Sequence, residues 1–198
     1  MSDRLSYYAI YKPFGMLSQF TPEGGRDSLK SLFDFPVDVY PVGRLDTDSE
    51  GLLLLTNDKR INHLLLNPDF GHGRTYLVQV EGEITDEACR KLESGVAIAV
   101  NGKTHQAEAV EAAKTGTPEW LPERNPPVRF RKSIPTSWME IVLKEGKNRQ
   151  VRKMTAAAGF PTLRLVRVRI EGLELGGLKP GQVRQMSRPE VYKLLSIR

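Results

Sequence analysis

The apolar and polar positions change period along the chain, and each change marks an element. Tyr7-Tyr8-Ala9-Ile10-Tyr11 is aromatic and β-favouring, and the turn residues Lys12-Pro13-Phe14-Gly15 end it, which predicts a strand. Leu52–Thr56 has the length and composition of a short buried strand. Asn57 or Asp58 then stands where a helix cap is needed, Ile61, Leu64 and Leu65 come next at helical spacing, and Pro68 closes the segment. Thr75–Glu81 alternates, with Tyr76, Val78 and Val80 on one face, and predicts a strand. Thr85 caps a helix carrying Ala88, Leu92 and Val96 at four-residue spacing, with Gly95 closing it. Trp138–Leu143 reads as a strand and about Lys147 to Ala158 as a helix. Leu163–Ile170 reads as a strand with one apolar face and one largely cationic face bearing Arg164, Arg167 and Arg169. Strands of antiparallel type mixed with a few helices predict an α+β fold, and no internal repeat is present.

One segment obeys no period. Thr117–Thr136 holds Pro118, Pro122, Pro126, Pro127 and Pro135, with Arg124, Arg129, Arg131 and Lys132 between them. Proline removes backbone donors and resists helix and central strand alike. The segment is expected to be a surface excursion, not a domain linker, and its cations could contact a substrate.

Length and charge narrow the function. A chain of 198 residues suits one large domain or two small subdomains sharing a site. No apolar run approaches the roughly 20 residues that span a bilayer, and Met1–Ser6 has no signal pattern. A single cysteine, Cys89, excludes an internal disulfide and makes a cytoplasmic protein the expectation. Residues 1–128 carry 13 Lys+Arg against 19 Asp+Glu, whereas residues 129–198 carry 16 against 5. Such a basic block is either a solvated face or a surface for a polyanion, with nucleic acid the first candidate.

Candidate chemistry centres on Pro41-Val42-Gly43-Arg44-Leu45-Asp46-Thr47-Asp48-Ser49-Glu50-Gly51, a charged loop between apolar strands. Asp46, Asp48, Glu50 and Gly51 mimic the start of an EF-hand loop, but its ninth and twelfth positions fall on Leu54 and Asn57, which excludes that calcium site. Asp46 is then either the cap of a turn or a carboxylate presented to a cleft. His63, His72 and His105 lack metal spacing, and there is no Gly-rich dinucleotide fingerprint and no P-loop, so neither metal nor cofactor is expected. On the helix near Lys147–Ala158, Arg149, Arg152 and Lys153 share one face and Val151, Met154, Thr155 and Ala158 the other. That cationic face is either solvated or available to a carboxylate or phosphate.

Gly43-Arg44-Leu45-Asp46 with Ser49-Glu50-Gly51-Leu52-Leu53-Leu54-Leu55-Thr56 resembles the catalytic motif of the RsuA branch of pseudouridine synthases. Lys12-Pro13 resembles the first motif of that family, Tyr76–Val80 its tyrosine-bearing strand, and Gly146–Met154 its third motif. Arg124-Asn125-Pro126-Pro127 with Lys132–Trp138 is most similar to the RluE subgroup, which acts on large-subunit (23S) ribosomal RNA. The resemblance implies one catalytic domain over residues 1–198, with a mixed, mostly antiparallel sheet, flanking helices and two subdomains around a central cleft. Many members carry an S4-type domain before the first motif; here that motif lies within a dozen residues of Met1, so none is expected, as in the RluE subgroup. Arg74 stands where lysine is more usual, which alters the cation available at that place.

The activity so implied is isomerisation of a specific uridine to pseudouridine in 23S ribosomal RNA, without cofactor, by a monomer. By resemblance Asp46 is the catalytic carboxylate, Arg152 its cationic partner, and Tyr76 stacks on the displaced uracil. Lys12, Arg44, Arg74, Arg149, Lys153 and Leu165 complete the set expected to bind substrate, Leu165 as an apolar wall. Taken alone, Tyr76 reads first as an ordinary core tyrosine, and Leu165 reads equally as a core leucine. The same reaction on 16S ribosomal RNA or tRNA, and a non-catalytic RNA-binding assembly factor, are the alternatives.

Overall fold

The computed structural model describes residues 5–129, 131 and 133–197. Lys132, one cation of the Pro-rich excursion, lies outside the described residues. The strands and helices, in chain order, are β1 (Tyr7–Lys12), β2 (Tyr40–Pro41), β3 (Glu50–Thr56), α1 (Lys59–Leu66), β4 (Arg74–Glu81), α2 (Asp86–Ser94), β5 (Val96–Val100), β6 (Lys103–Ala107), β7 (Glu111–Thr115), β8 (Thr136–Leu143), α3 (Gln150–Ala157), β9 (Thr162–Ile170), β10 (Leu173–Glu174), β11 (Val183–Met186) and α4 (Arg188–Leu194). The fold is α+β, as the mixed periods predict. The chain forms two compact units, one from the chain up to His72 together with the chain from Arg167 onward, the other from Gly73–Val166.

In the first unit β1 pairs antiparallel with β11 on one side and β3 on the other, placing Tyr7 opposite Met186 and Thr56, and Lys12 opposite Gly51. The four leucines 52–55 are all fully buried, so both faces of β3 are covered and its sequence need not alternate. Asp58 caps α1 by accepting from the N–H of Arg60 at 3.0 Å, and it also accepts hydroxyl bonds from Tyr7 of β1 and Tyr192 of α4, each at 2.9 Å. One buried carboxylate thereby ties β1 and the two helices together. Helix α4 starts on a Ser187–Glu190 capping box with proline in its first turn.

In the second unit β8 lies between β4 and β7, antiparallel to both, with Tyr76 opposite Ile141 and Arg74 opposite Leu143. Thr85 caps α2 through the N–H of Ala88, as expected. Val96 does not continue α2; it starts β5, which forms a hairpin with β6 through Asn101 and Gly102, both at positive φ. That asparagine–glycine pair is the signal for a two-residue hairpin. Helix α3 begins at Gln150, later than expected, because Arg149 takes a left-handed conformation at φ 52° and ends the preceding loop.

Candidate active site

The Asp46 loop is built from backbone clamps in the first unit. Gly43 sits at φ +73°, which favours glycine, and a Cβ there would lie 3.0 Å from Leu66 Cδ2. The buried Ser18 hydroxyl donates to the carbonyl of Leu45 at 2.7 Å and accepts the N–H of the same residue at 3.1 Å. The N–H of Gly15 reaches the Thr47 carbonyl at 2.8 Å, and the N–H of Ser49 closes a turn on the Asp46 carbonyl at 3.0 Å. Residues on both sides of Asp46 are therefore fixed, while its side chain stays half-buried and Arg44 is exposed.

Lys12 is fully buried under this loop, and its ammonium donates to the carbonyls of Pro13 at 2.9 Å and Met16 at 2.7 Å. Burial lowers its pKa to about 8, against the opposing pull of Glu50, Asp48 and Asp46. The cation expected to face substrate is thus placed where it stiffens the 13–16 turn and sets a positive charge among three loop carboxylates. Glu50 is buried as well, with the Tyr11 hydroxyl at 3.5 Å.

In the second unit, Tyr76 is largely buried on β4 and Arg74 is half-buried at its start. Val151, Met154 and Thr155 of α3 are buried, as the sequence pattern predicts, and Ala158 is half-buried. Arg149 is exposed, Lys153 reaches Asn148 Oδ1 at 3.5 Å, and Arg152 Nη1 donates to the Thr162 carbonyl of β9 at 3.4 Å. Leu165 on the same strand is buried. The loop before α3 is closed by Glu145, a residue that no sequence pattern singles out. Its carboxylate accepts Gln150 Nε2 at 2.6 Å and lies 2.9 and 3.1 Å from His105 Nε2 of β6. Gln150 Oε1 in turn accepts the N–H of Lys147 at 2.9 Å.

The single arginine face expected on β9 does not form: strand alternation puts Arg164 on the opposite face from Arg167 and Arg169, and Arg169 is half-buried. Arg164 and Arg167 are buried; Arg164 donates to the Pro122 carbonyl at 2.9 Å and Arg167 to the Leu52 carbonyl at 2.8 Å. Charge alone reads these arginines as wet, but a guanidinium can satisfy buried carbonyls inside a protein. Among the described residues, no group of three or more His, Cys, Asp or Glu side chains could hold a metal ion.

The model of the RNA pseudouridylate synthase family matches residues 6–157. A relative from Vibrio vulnificus (strain CMCP6), named ribosomal large subunit pseudouridine synthase E, is 50% identical over 180 residues, which cover 90% of this chain and 74% of that protein. One of the same name from Xanthomonas campestris pv. campestris is 46% identical over 179 residues, covering 88% of this chain and 92% of its own. Ribosomal large subunit pseudouridine synthase B of Bacillus subtilis (strain 168) is 34% identical over 192 residues, covering 96% and 72%. A solved pseudouridylate synthase shares the fold, with a TM-score of 0.76 over 98% of this chain and 75% of that one, at 23% identity. With the family model spanning most of the chain and relatives this similar, the chain belongs to the RNA pseudouridylate synthase family.

Proposed function

We propose that this enzyme converts a specific uridine of large-subunit (23S) ribosomal RNA to pseudouridine, with the carboxylate of Asp46 as the reacting group. One observation carries the reading: a half-buried Asp46 on a backbone-clamped loop, in a chain 50% identical over 180 residues to a protein named for the large ribosomal subunit. The reaction breaks the N1–C1′ bond, turns the uracil and forms a C5–C1′ bond. C5 loses a proton and N1 gains one, so atoms and oxidation state balance without a redox partner.

Asp46 acts on ribose or base only as the ionised carboxylate, whichever atom it engages. Lys12, buried beneath the loop, supplies a fixed positive charge on that side. Arg152 is assigned the cation that offsets the carboxylate during reaction, and Tyr76 the ring that stacks on the displaced uracil. Arg44, Arg149 and Lys153 are assigned to phosphates, Arg74 to an auxiliary cationic role, and Leu165 to the wall against the base. The target base must leave its stack, at a cost of a few kcal/mol that these contacts offset. The protein is read as a cytoplasmic monomer without metal or cofactor. A lone cysteine supports that compartment, and no helix among the described residues is long and apolar enough to cross a membrane.

The test is incubation of unmodified 23S, 16S and transfer RNA with the protein, then carbodiimide labelling and primer extension. A single new stop in 23S RNA is expected. A stop only in 16S RNA or tRNA overturns the substrate assignment, and binding without any stop overturns the activity in favour of an assembly factor.

A further inference from the structure

Residues 118–127 of the Pro-rich excursion between β7 and β8 form a built loop. Leu121 is buried, and its N–H closes a turn on the Pro118 carbonyl at 3.0 Å. Arg124 holds the next stretch of the loop: its Nε donates to the Pro126 carbonyl at 2.8 Å and its Nη2 to the Pro127 carbonyl at 2.9 Å. The same guanidinium reaches the Leu163 carbonyl of β9 at 3.4 Å, and Arg164 holds the Pro122 carbonyl at 2.9 Å. Arg152 docks on the neighbouring carbonyl, that of Thr162, at 3.4 Å. The loop and Arg152 are thus fastened to consecutive residues of one strand.

At the tip of this turn stands Trp120, 56% exposed. An indole with more than half its surface in water, at the third position of a closed turn next to a buried leucine, is not placed there by core packing alone. Its neighbours Glu119 and Glu123 are exposed or nearly so, and their charge disfavours a phosphate at the tip. An uncharged aromatic face suits a nucleobase, since any unpaired base can stack on it.

We propose that Trp120 is a specificity-determining residue that stacks on an unpaired base of the substrate RNA flanking the target uridine. The proposal rests on the reading of this enzyme as acting on ribosomal RNA. Arg124 and Arg164 then serve as positioning residues, orienting the turn through carbonyls and not through the RNA.

The chain has two tryptophans, and the other, Trp138, is 8% exposed, so quenching by acrylamide reports mainly on Trp120. The probe is unmodified 23S RNA transcribed in vitro. RNA is expected to shield Trp120 from acrylamide. Trp120→Ala is expected to raise KM about tenfold with kcat within twofold, and Trp120→Phe to restore most of the loss. Conversion of the RNA with Trp120 still open to acrylamide, and with an unchanged KM for Trp120→Ala, overturns this inference and leaves the proposed activity standing. Shielding of Trp120 without conversion supports the inference and overturns the activity.

Discussion

Ser18 and Leu45, 27 residues apart, are joined twice by one hydroxyl: Ser18 Oγ donates to the Leu45 carbonyl at 2.7 Å and accepts the Leu45 N–H at 3.1 Å. Both backbone groups of the residue preceding Asp46 therefore depend on a single buried side chain. Ser18→Ala leaves a donor and an acceptor buried without that partner, which costs about 1–3 kcal/mol. The freed loop lets Asp46 drift, and displacement on the order of 1 Å costs roughly 100-fold in rate. Single-turnover kinetics are expected to show a fall in rate of about 10- to 100-fold with RNA affinity nearly unchanged.

Lys12 makes stability depend on alkaline pH. Its native pKa, about 8, lies below the ordinary lysine value. Between these two values the unfolded chain holds more protons than the folded one, so stability rises with pH through that window. Below pH 8 both states are protonated and the cost of the buried charge is fully present. The difference in unfolding free energy between the unaltered protein and Lys12→Met is expected to move in favour of the unaltered protein by about 1 kcal/mol from pH 7 to 9. Urea denaturation at the two pH values checks this.

The sequence reveals elements where local rules and burial agree. Leu52–Thr56, the Asp58 and Thr85 caps and the buried face Val151, Met154 and Thr155 are all found in the structure. The β5–β6 hairpin is signalled by Asn101-Gly102 but masked by the helical spacing of Ala88, Leu92 and Val96. The left-handed Arg149 breaks the expected helix start, and nothing local to that arginine signals it. At the site, the motif around Asp46 is visible in the sequence, but the clamp from Ser18 is not, because a serine 27 residues away has no periodic or spacing signature. Arg164 and Arg167 are misread as exposed cations, and the burial of Lys12 is not visible in the sequence, for one shared reason. Sequence patterns place charge at the surface, whereas these three satisfy backbone carbonyls inside the fold.

Glu145 fixes the start of α3 through the side chain of Gln150, where Arg149 provides no side-chain cap. Its bonds to Gln150 and the contact with His105 hold the helix start against β6. Glu145→Ala is expected to destabilise by about 1–2 kcal/mol and lower kcat/KM roughly tenfold through Arg152. Glu145→Gln, which keeps an acceptor, is expected to recover part of both. Thermal unfolding and initial rates on the same preparations separate the two effects.

Asp58 governs acid stability. Burial would raise its pKa, but hydroxyl bonds from Tyr7 and Tyr192 and backbone N–H groups of Arg60 and Ile61 bring it below the usual carboxylate value. A lowered native pKa contributes stability in full above the unfolded value near pH 4, lost as pH falls through the native one. Asp58→Ala is expected to cost about 2–4 kcal/mol at pH 7. That difference should hold from pH 8 to 5 and shrink below pH 4 in chemical denaturation.

The role of Asp46 is tested most directly by tritium release from 23S RNA carrying 5-tritiated uridine, because forming the C5–C1′ bond expels the C5 hydrogen. Under single-turnover conditions the unaltered protein is expected to release the label from one uridine per RNA. Asp46→Asn, which keeps the shape of the loop and removes the charge, is expected to bind the same RNA and release none above background. Release by Asp46→Asn at the rate of the unaltered protein would contradict the account.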